Sequence, residues 1–399
     1  MENFDQVISR ENTSCVKWDG WKNMNKPEGL LPLWVADMDF QAPDAVIEAI
    51  SKKAAHGIFG YGFCDHEYYG AVSSWMNKRH NLIIAQENVV TTPGVIAALN
   101  IAVNTFSQIN DAIMINKPVY YPFDQVVEQN GRKKVECPMI FKDGHYLMDF
   151  SLFEQKIINH KVKIFILCNP YNPIGKVWTR AELKKIGEIC LKHEVLVISD
   201  EIHMDFVFKN HVHIPFVNVD KRFKDICVIA TSPSKTFNLA GLQCANILFF
   251  NDDLKERFVA TKRKSGFTDE PNIMAIEATK AAYLHGKKWL DDLIGYVEKN
   301  KSCLRTFLAK HIPEVKLVEP EGLYLAWVDF TGLDMDHEQL EAFMINEAKL
   351  WLDEGYIFGI GGAGFERINL AVPQSVLKEA LNRLNLAIKN RNPHESTPN

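Results

Sequence analysis

Three polar side chains in the middle of the chain each follow a short apolar run. They are Asn172 after residues 163–168, Asp200 after 195–199, and Lys235 after 226–230. An amide, a carboxylate and an amine are groups that bind a ligand, pair with its charge or attack it. The carboxyl ends of parallel strands meet at one edge of a sheet, where open α/β folds bind ligands. We therefore expect these three side chains to lie together.

Further groups extend this set. The hydroxyls of Ser232 and Ser234 precede the lysine and could bind a phosphate. Arg367 begins an apolar run near the C-terminus and could bind a carboxylate with two hydrogen bonds. Each residue alone is also compatible with a turn, a helix cap, a surface lysine or a structural ion pair. Together they are the parts that pyridoxal phosphate (PLP) needs: an imine-forming lysine, an acid for the pyridine nitrogen, hydroxyls for the phosphate and an arginine for an amino acid carboxylate.

Short apolar runs alternate with amphipathic stretches through the middle of the chain, a pattern typical of an α/β fold with a largely parallel sheet. The expected strands are 88–92, 112–116, 163–168, 195–199, 226–230 and 245–250, with helices near 94–108, 180–194 and 252–264. From about residue 283 we expect a helical stretch to about 310, a strand at 323–329, a helix at 337–354, a strand at 367–372 and a helix at 374–389.

These elements predict two domains. Residues 46–284 would form a large PLP-binding domain, with a mostly parallel, mixed central sheet flanked by helices. Residues 1–45 and 285–399 would form a smaller α+β domain. A cleft at such a junction is a common place for a ligand.

Composition excludes several classes of protein. The 399 residues have a net charge of −5, so no basic surface for nucleic acid is expected. The apolar runs fall short of the roughly 20 residues that a membrane helix needs. The eight cysteines form no C-x-x-C pair, which favours a cytoplasmic protein without disulfides. The pairs His211-x-His213 and Cys190-x-x-His193 lack a second matching pair, so no metal site is expected.

Over nearly its full length the sequence resembles the aspartate-aminotransferase-like, fold type I PLP enzymes. Within them it is similar to the MalY/PatB-type cystathionine β-lyases, also called C–S lyases. The segments that carry this resemblance are Lys17-Trp-Asp19, Leu33-Trp-Val-Ala-Asp-Met-Asp-Phe40, Phe59-Gly-Tyr-Gly62, Pro118-Val-Tyr120, Asp200-Glu-Ile-His203 and Ser234-Lys-Thr-Phe-Asn238. The resemblance implies β-elimination from L-cystathionine or related cysteine S-conjugates, giving a thiol, pyruvate and ammonia. It also implies a homodimer with active sites at the subunit interface.

The resemblance assigns roles position by position. The implied catalytic residues are Lys235, which bonds to the cofactor, Asp200, which pairs with the pyridine nitrogen, and Tyr61, which reaches the phosphate of the partner subunit's cofactor. The other implied cofactor-binding residues are Asn172 and His203 at the ring oxygen, Tyr120 on the ring face, and Ser232, Ser234, Gly94 and Val95 at the phosphate. The implied substrate-binding residues are Arg367 for the α-carboxylate, Asn172, Val35 and Ala36.

One position departs from the aspartate aminotransferases. They have a phosphate-binding arginine eight residues after the lysine, where this chain has Gln243. The residues themselves leave two other functions open: a PLP-dependent aminotransferase of L-amino acids, and a PLP-fold protein that acts as a regulatory binding partner. Only the resemblance to the lyases favours β-elimination over transamination.

Overall fold

The computed structural model describes residues 3–266 and 270–391, and its strands form one large sheet and three smaller ones. In chain order the strands are β1 (Leu31–Pro32), β2 (Val89–Thr92), β3 (Ala112–Lys117), β4 (Lys133–Pro138), β5 (Ile140–Lys142), β6 (His145–Leu147), β7 (Ile164–Cys168), β8 (Leu196–Asp200), β9 (Cys227–Thr231), β10 (Ala245–Phe249), β11 (Lys316–Val318), β12 (Leu325–Asp329), β13 (Leu350–Trp351), β14 (Asp353–Glu354) and β15 (Phe365–Asn369).

The large sheet has the strand order β2-β10-β9-β8-β7-β3-β4. Strand β10 runs antiparallel to both of its neighbours, and the other four pairs of adjacent strands are parallel. Strands β3, β7, β9 and β10 are buried along their whole length, as expected of strands covered on both faces. The predicted α/β class with a mostly parallel, mixed sheet is confirmed.

Helices occur along the whole described chain, and in its middle they alternate with the strands of the large sheet. They are α1 (Val16–Asp19), α2 (Asp44–His56), α3 (His66–His80), α4 (Val95–Phe106), α5 (Pro122–Gln129), α6 (Phe150–His160), α7 (Arg180–Lys192), α8 (Pro233–Thr236), α9 (Asp252–Lys264), α10 (Ile273–His285), α11 (Lys287–His311), α12 (His337–Asn346) and α13 (Gln374–Arg391). Several of these helices begin at a residue whose side chain caps the helix N-terminus. At α7, for example, Thr179 and Glu182 form a reciprocal capping box.

The six predicted strands of the large sheet are present, and none of their bounds differs from the prediction by more than one residue. The seventh, β4, escaped prediction because it is an edge strand that begins with two lysines and buries only alternate residues. The helices that were not predicted are α1, α2, α3, α5, α6, α8 and α10. The helical stretch expected from about 283 to 310 is α11, which follows the end of α10 at His285.

The predicted helix over 337–354 is wrong in its second half. Helix α12 ends at Asn346, and Lys349 has a positive φ of 54°, which a helix does not allow. The chain then forms β13, which pairs with β1, and β14, which pairs with β15. The strand predicted at 367–372 is β15 and begins two residues earlier, at Phe365.

The C-terminal part of the chain has its own antiparallel sheet, ordered β11-β12-β15-β14. The pairing of β1 with β13 attaches the N-terminal segment to this part. The domain boundaries at residues 46 and 284 remain a prediction. Residues 1–2 and 392–399 of the predicted small domain and residues 267–269 of the predicted large domain lie outside the described residues. Within the described ranges, every helix is too short or too polar to cross a membrane.

Candidate active site

The candidate active site lies at the carboxyl edge of the large sheet, where β7, β8 and β9 are parallel neighbours. Cys168 at the end of β7 is in register with Asp200 at the end of β8, and Asp200 is in register with Ala230 of β9. The loop after β7 carries Asn172, and the one-turn helix α8 after β9 carries Lys235. The three residues predicted to lie together therefore leave the sheet at the same edge.

Lys235 has a half-buried side chain whose Nζ donates a 2.7 Å hydrogen bond to the carbonyl of Ala36. Burial lowers the pKa of Lys235 to about 8, and the nearby charge of Arg367 acts in the same direction. The carboxylates of Asp37 and Asp200 oppose this shift. Near neutral pH a fraction of the amine is uncharged, which is the form that attacks a carbonyl carbon.

Asp200 is a buried carboxylate with few hydrogen bonds or charges to offset its loss of solvation. Its Oδ1 accepts a 3.1 Å hydrogen bond from the N–H of Ile202. Burial raises the pKa of Asp200 to about 7, and the neighbouring charge of Glu201 also raises it. The hydrogen bond from Ile202 and the charge of Lys235 lower the pKa but do not cancel the effect of burial. A cationic ligand atom beside Asp200 would remove this penalty, so the position fits a protonated ring nitrogen.

His203 is buried, and its Nδ1 has no hydrogen-bond partner among the described residues. Burial lowers the pKa of His203 well below its ordinary value, helped by the charges of Lys235 and Arg367, so the imidazole is neutral. An unpaired buried nitrogen fits a polar ligand atom. The ring of Tyr324 lies 6.0 Å away, and its hydroxyl donates a 3.0 Å hydrogen bond to Ala36, the same carbonyl that Lys235 contacts. Sequence reasoning missed Tyr324, which reads as an ordinary core aromatic.

Arg367 joins the small C-terminal sheet to this edge of the large sheet. Its Nη1 donates a 3.0 Å hydrogen bond to Oδ1 of Asn172, and its Nη2 donates a 3.0 Å hydrogen bond to the carbonyl of Trp34. Nη2 also forms an ion pair with Asp353. The Nε of Arg367 has no partner within the described part of the chain. The guanidinium is thus held in place from three sides and still has donors for a substrate carboxylate.

Sequence reasoning missed Asp353 because the residue lies in the segment wrongly predicted as a helix. Strand β14 places it directly opposite Arg367 in the sheet register. Burial raises the pKa of Asp353 to about 6, although the charge of Arg367 opposes this. The loss of helical periodicity after Asn346 is the sequence signal that could have indicated a strand here.

The expected phosphate site lies where α4 begins. Gly94 precedes this helix with a φ of 134°, no side chain caps the helix, and no heavy atom lies within 4 Å of where a Cβ of Gly94 would be. The first amides of α4 therefore have no capping side chain, and there is room beside Gly94, as an anion site requires. Ser232 donates its hydroxyl proton to the carbonyl of Cys244 at 2.5 Å and accepts from the N–H of Ser234. The hydroxyls of Ser232 and Ser234 are also hydrogen-bonded to each other at 2.9 Å, and Ser234 is the less buried of the two.

The remaining predicted residues fall into two groups. Half-buried Tyr120 joins the site, since its N–H donates a 3.2 Å hydrogen bond to the carbonyl of Asn172. Val35 lies beside Ala36 in the same segment. Tyr61, in contrast, is 99% exposed and is not buried in its own chain's site. Gln243 is also exposed, with a positive φ of 53°.

These features fit PLP. The chain presents a reactive amine, an uncompensated carboxylate, an unpaired imidazole nitrogen and an uncapped helix start, each at a predicted position. Within residues 3–266 and 270–391, no group of three or more His, Cys, Asp or Glu side chains is arranged to hold a metal ion.

Comparison with known proteins adds an independent finding. The model of the family "Aminotransferase class I and II" matches residues 28–384. The chain is 41% identical to cystathionine beta-lyase PatB of Bacillus subtilis, over 97% of this chain and 100% of PatB. It is similar to cystalysin from Treponema denticola, a PLP-containing structure, with a TM-score of 0.94, 39% identity and coverage of 98% and 100%. It is also similar to the PLP-bound C-S lyase from Staphylococcus hominis, with a TM-score of 0.91, 34% identity and coverage of 97% and 98%.

Proposed function

The chain belongs to the aminotransferase class I and II family. Within this family, we propose that it is a PLP-dependent carbon–sulfur β-lyase. It cleaves L-cystathionine or related cysteine S-conjugates to a thiol, pyruvate and ammonia. The observation that carries the lyase activity is the full-length similarity to PatB, since the residues of the site serve elimination and transamination equally well.

The described residues would hold the cofactor from several sides. Lys235 would bind it covalently through Nζ, Asp200 would pair with its ring nitrogen, and His203 would hydrogen-bond its ring oxygen. The amides at the start of α4, with Ser234, would bind its phosphate. When bound, PLP supplies an electron sink for the negative charge that develops at Cα of an amino acid.

The chain's own groups divide the remaining work. Arg367 binds the substrate α-carboxylate, and Asn172 holds the guanidinium in position. Once the amino group of the substrate has displaced Lys235 from the cofactor, the freed Nζ would take the proton from Cα. The carboxylate of Asp200 keeps a proton on the ring nitrogen, because its negative charge favours the cationic form. A sulfur substituent on Cβ can then leave as a thiolate, whereas a substrate without a leaving group can only exchange its amino group.

The test of this proposal is pyruvate release from L-cystathionine by the purified, PLP-loaded protein without any 2-oxo acid. We expect pyruvate together with a free thiol in equal amounts. Turnover only after a 2-oxo acid is added would indicate an aminotransferase. Bound cofactor without turnover under either condition would indicate a regulatory binding protein.

We further propose that the active unit is a homodimer. Exposed apolar side chains cluster next to Tyr61: Ile58 is 68%, Phe59 65% and Phe63 74% exposed. Such a cluster favours a protein partner, and a second copy of the chain would bring Tyr61 to its cofactor phosphate. The cytoplasmic location remains a prediction.

Subunit mixing tests the contribution of Tyr61 across the interface. Lys235→Ala and Tyr61→Ala proteins, each inactive alone, are unfolded together and refolded. If Tyr61 acts in the partner's site, half of the dimers are mixed and each has one intact site, so about a quarter of wild-type activity returns. Recovery no greater than that of either variant refolded alone would place Tyr61 outside the partner's site.

A further inference from the structure

A groove of about 450 Å³ opens beside the carboxylate-binding arginine and has no role in the chemistry described so far. Asp353, the ion-pair partner of Arg367, lines it. Trp34, whose carbonyl accepts a hydrogen bond from Arg367, also lines it. Two residues that contact Arg367 are therefore walls of the groove, which lies next to the position proposed for the substrate α-carboxylate.

The wall of the groove is aromatic. The rings of Trp34 and Trp351 stack with centroids 4.4 Å apart and an interplanar angle of 16°, and Tyr121 lies on the same groove. Flat apolar surfaces of this kind bury methylene and thioether groups without leaving a polar atom unpaired. This part of the groove suits the linker of a substrate that continues beyond its Cβ.

Away from Arg367, the groove is lined by charges of both signs. Lys26 forms ion pairs with Glu354 at 3.0 Å and with Glu341 at 2.8 Å. The side chains of Lys26 and Glu354 are 20% and 14% exposed, and both line the groove. These two ion pairs use two of the three N–H donors of Lys26. Because Glu354 directly follows Asp353 on β14, consecutive residues connect the charged end of the groove to the Arg367 end.

A ligand that complements this groove has an apolar linker and a terminal head with both an anionic and a cationic group. We propose that the groove is a subsite for a distal α-amino acid head of the substrate, with Lys26 binding the distal carboxylate and Glu354 the distal ammonium. This proposal rests on the proposed β-lyase activity and assigns residues of this chain to the distal half of L-cystathionine. A simple S-alkyl cysteine reaches the aromatic wall but offers nothing to Lys26.

The experiment compares two substrates of the PLP-loaded enzyme: L-cystathionine, which has a distal head, and S-methyl-L-cysteine, which lacks one. We expect Lys26→Met to lower kcat/KM for L-cystathionine at least about tenfold, mainly through KM, and to leave S-methyl-L-cysteine within about twofold. Glu354→Gln should act in the same direction. The ratio of the two substrates is independent of cofactor loading and of the folded fraction, because both affect each substrate alike.

Lys22→Met is the matched control. Lys22 is an exposed lysine in the same N-terminal segment, near the ring of Trp21 and outside the groove, so its loss should not change the ratio. An unchanged ratio in both Lys26→Met and Glu354→Gln, whether or not total activity falls, would overturn the subsite. Pyruvate from S-methyl-L-cysteine with the wild-type enzyme establishes the lyase activity separately. Absence of pyruvate from both substrates would overturn the proposed function and the subsite with it.

Discussion

Two buried carboxylates in one short segment, Asp200 and Asp205, lie in opposite electrostatic environments. Asp200 faces Lys235 and accepts one backbone hydrogen bond, and burial raises its pKa to about 7. Asp205 accepts hydrogen bonds from Trp75 at 3.1 Å and Thr236 at 2.7 Å, and it contacts His80 at 2.8 Å.

Burial alone would also raise the pKa of Asp205. The hydrogen bond and charge of His80, with the charge of Arg79, outweigh burial and hold the pKa of Asp205 below its ordinary value. Both acids interact with helix α8: the charge of Lys235 acts on Asp200, and the next residue, Thr236, donates a hydrogen bond to Asp205. Side chains of the protein therefore supply the hydrogen bonds and the charge that Asp205 needs, whereas Asp200 is left for a ligand to pair with. This is the pattern expected of a structural acid and a functional acid.

The largest expected effect comes from the residue that Asp200 faces. Lys235→Ala should reduce pyruvate formation by about 10³-fold or more, because it removes both the covalent anchor and the base at Cα. Its folded structure should be unchanged, since the lysine side chain is half-buried and is not part of the Asp205 network. Circular dichroism and a steady-state pyruvate assay check both points. Turnover at the normal rate would overturn the assigned role.

Asp200→Asn should reduce activity by about 10²-fold or more while leaving the protein folded. The amide has nearly the same shape but cannot keep a proton on the ring nitrogen. The measurement is kcat under saturating PLP, with cofactor content checked by absorbance. Near-normal kcat at full cofactor loading would show that the uncompensated charge of Asp200 has no part in the reaction.

Asp205→Asn should have the opposite profile. Removing one member of a buried, multiply paired charge network costs about 3–5 kcal/mol of unfolding free energy. Activity per folded, PLP-loaded molecule should fall less than it does in Asp200→Asn. Denaturant unfolding and active-site titration measure the two quantities. A stable but inactive Asp205→Asn protein would contradict the division between the two acids.

The smallest effect concerns the pH dependence of stability. The pKa of Asp200 is about 7 in the folded apoprotein and close to its ordinary value of 3.8 when unfolded, so only the folded state holds this proton between these values. Unfolding then releases a proton, and the stability of the apoprotein should fall as pH rises from about 4 to about 7, by at most about 4 kcal/mol. The difference between wild type and Asp200→Asn isolates this contribution, because the raised pKa of Asp353 is common to both. If the difference in unfolding free energy between the two proteins does not change with pH, burial does not raise the pKa of Asp200 as stated.

The sequence by itself determined the α/β class and the cluster of Asn172, Asp200 and Lys235. Apolar runs alternating with helices specify parallel strands, and parallel neighbours place the residues after their carboxyl ends at one edge. This inference needs only local patterns. The same residues indicated PLP as the cofactor, and the segments that carried the family resemblance indicated β-elimination as the reaction.

Only the tertiary structure decided how Arg367 is held and what surrounds it. Arg367 on β15 and Asn172 in the loop after β7 are 195 positions apart, so no local pattern relates them. Asp353 lies on a two-residue strand whose existence depends on pairing with β15, which is why helical periodicity was wrongly extended over it. The difference between Asp200 and Asp205 is likewise invisible in sequence. Both are acids after a buried strand, and the side chains that satisfy only Asp205 come from helices α3 and α8, which lie far from it in the chain and meet it only through folding.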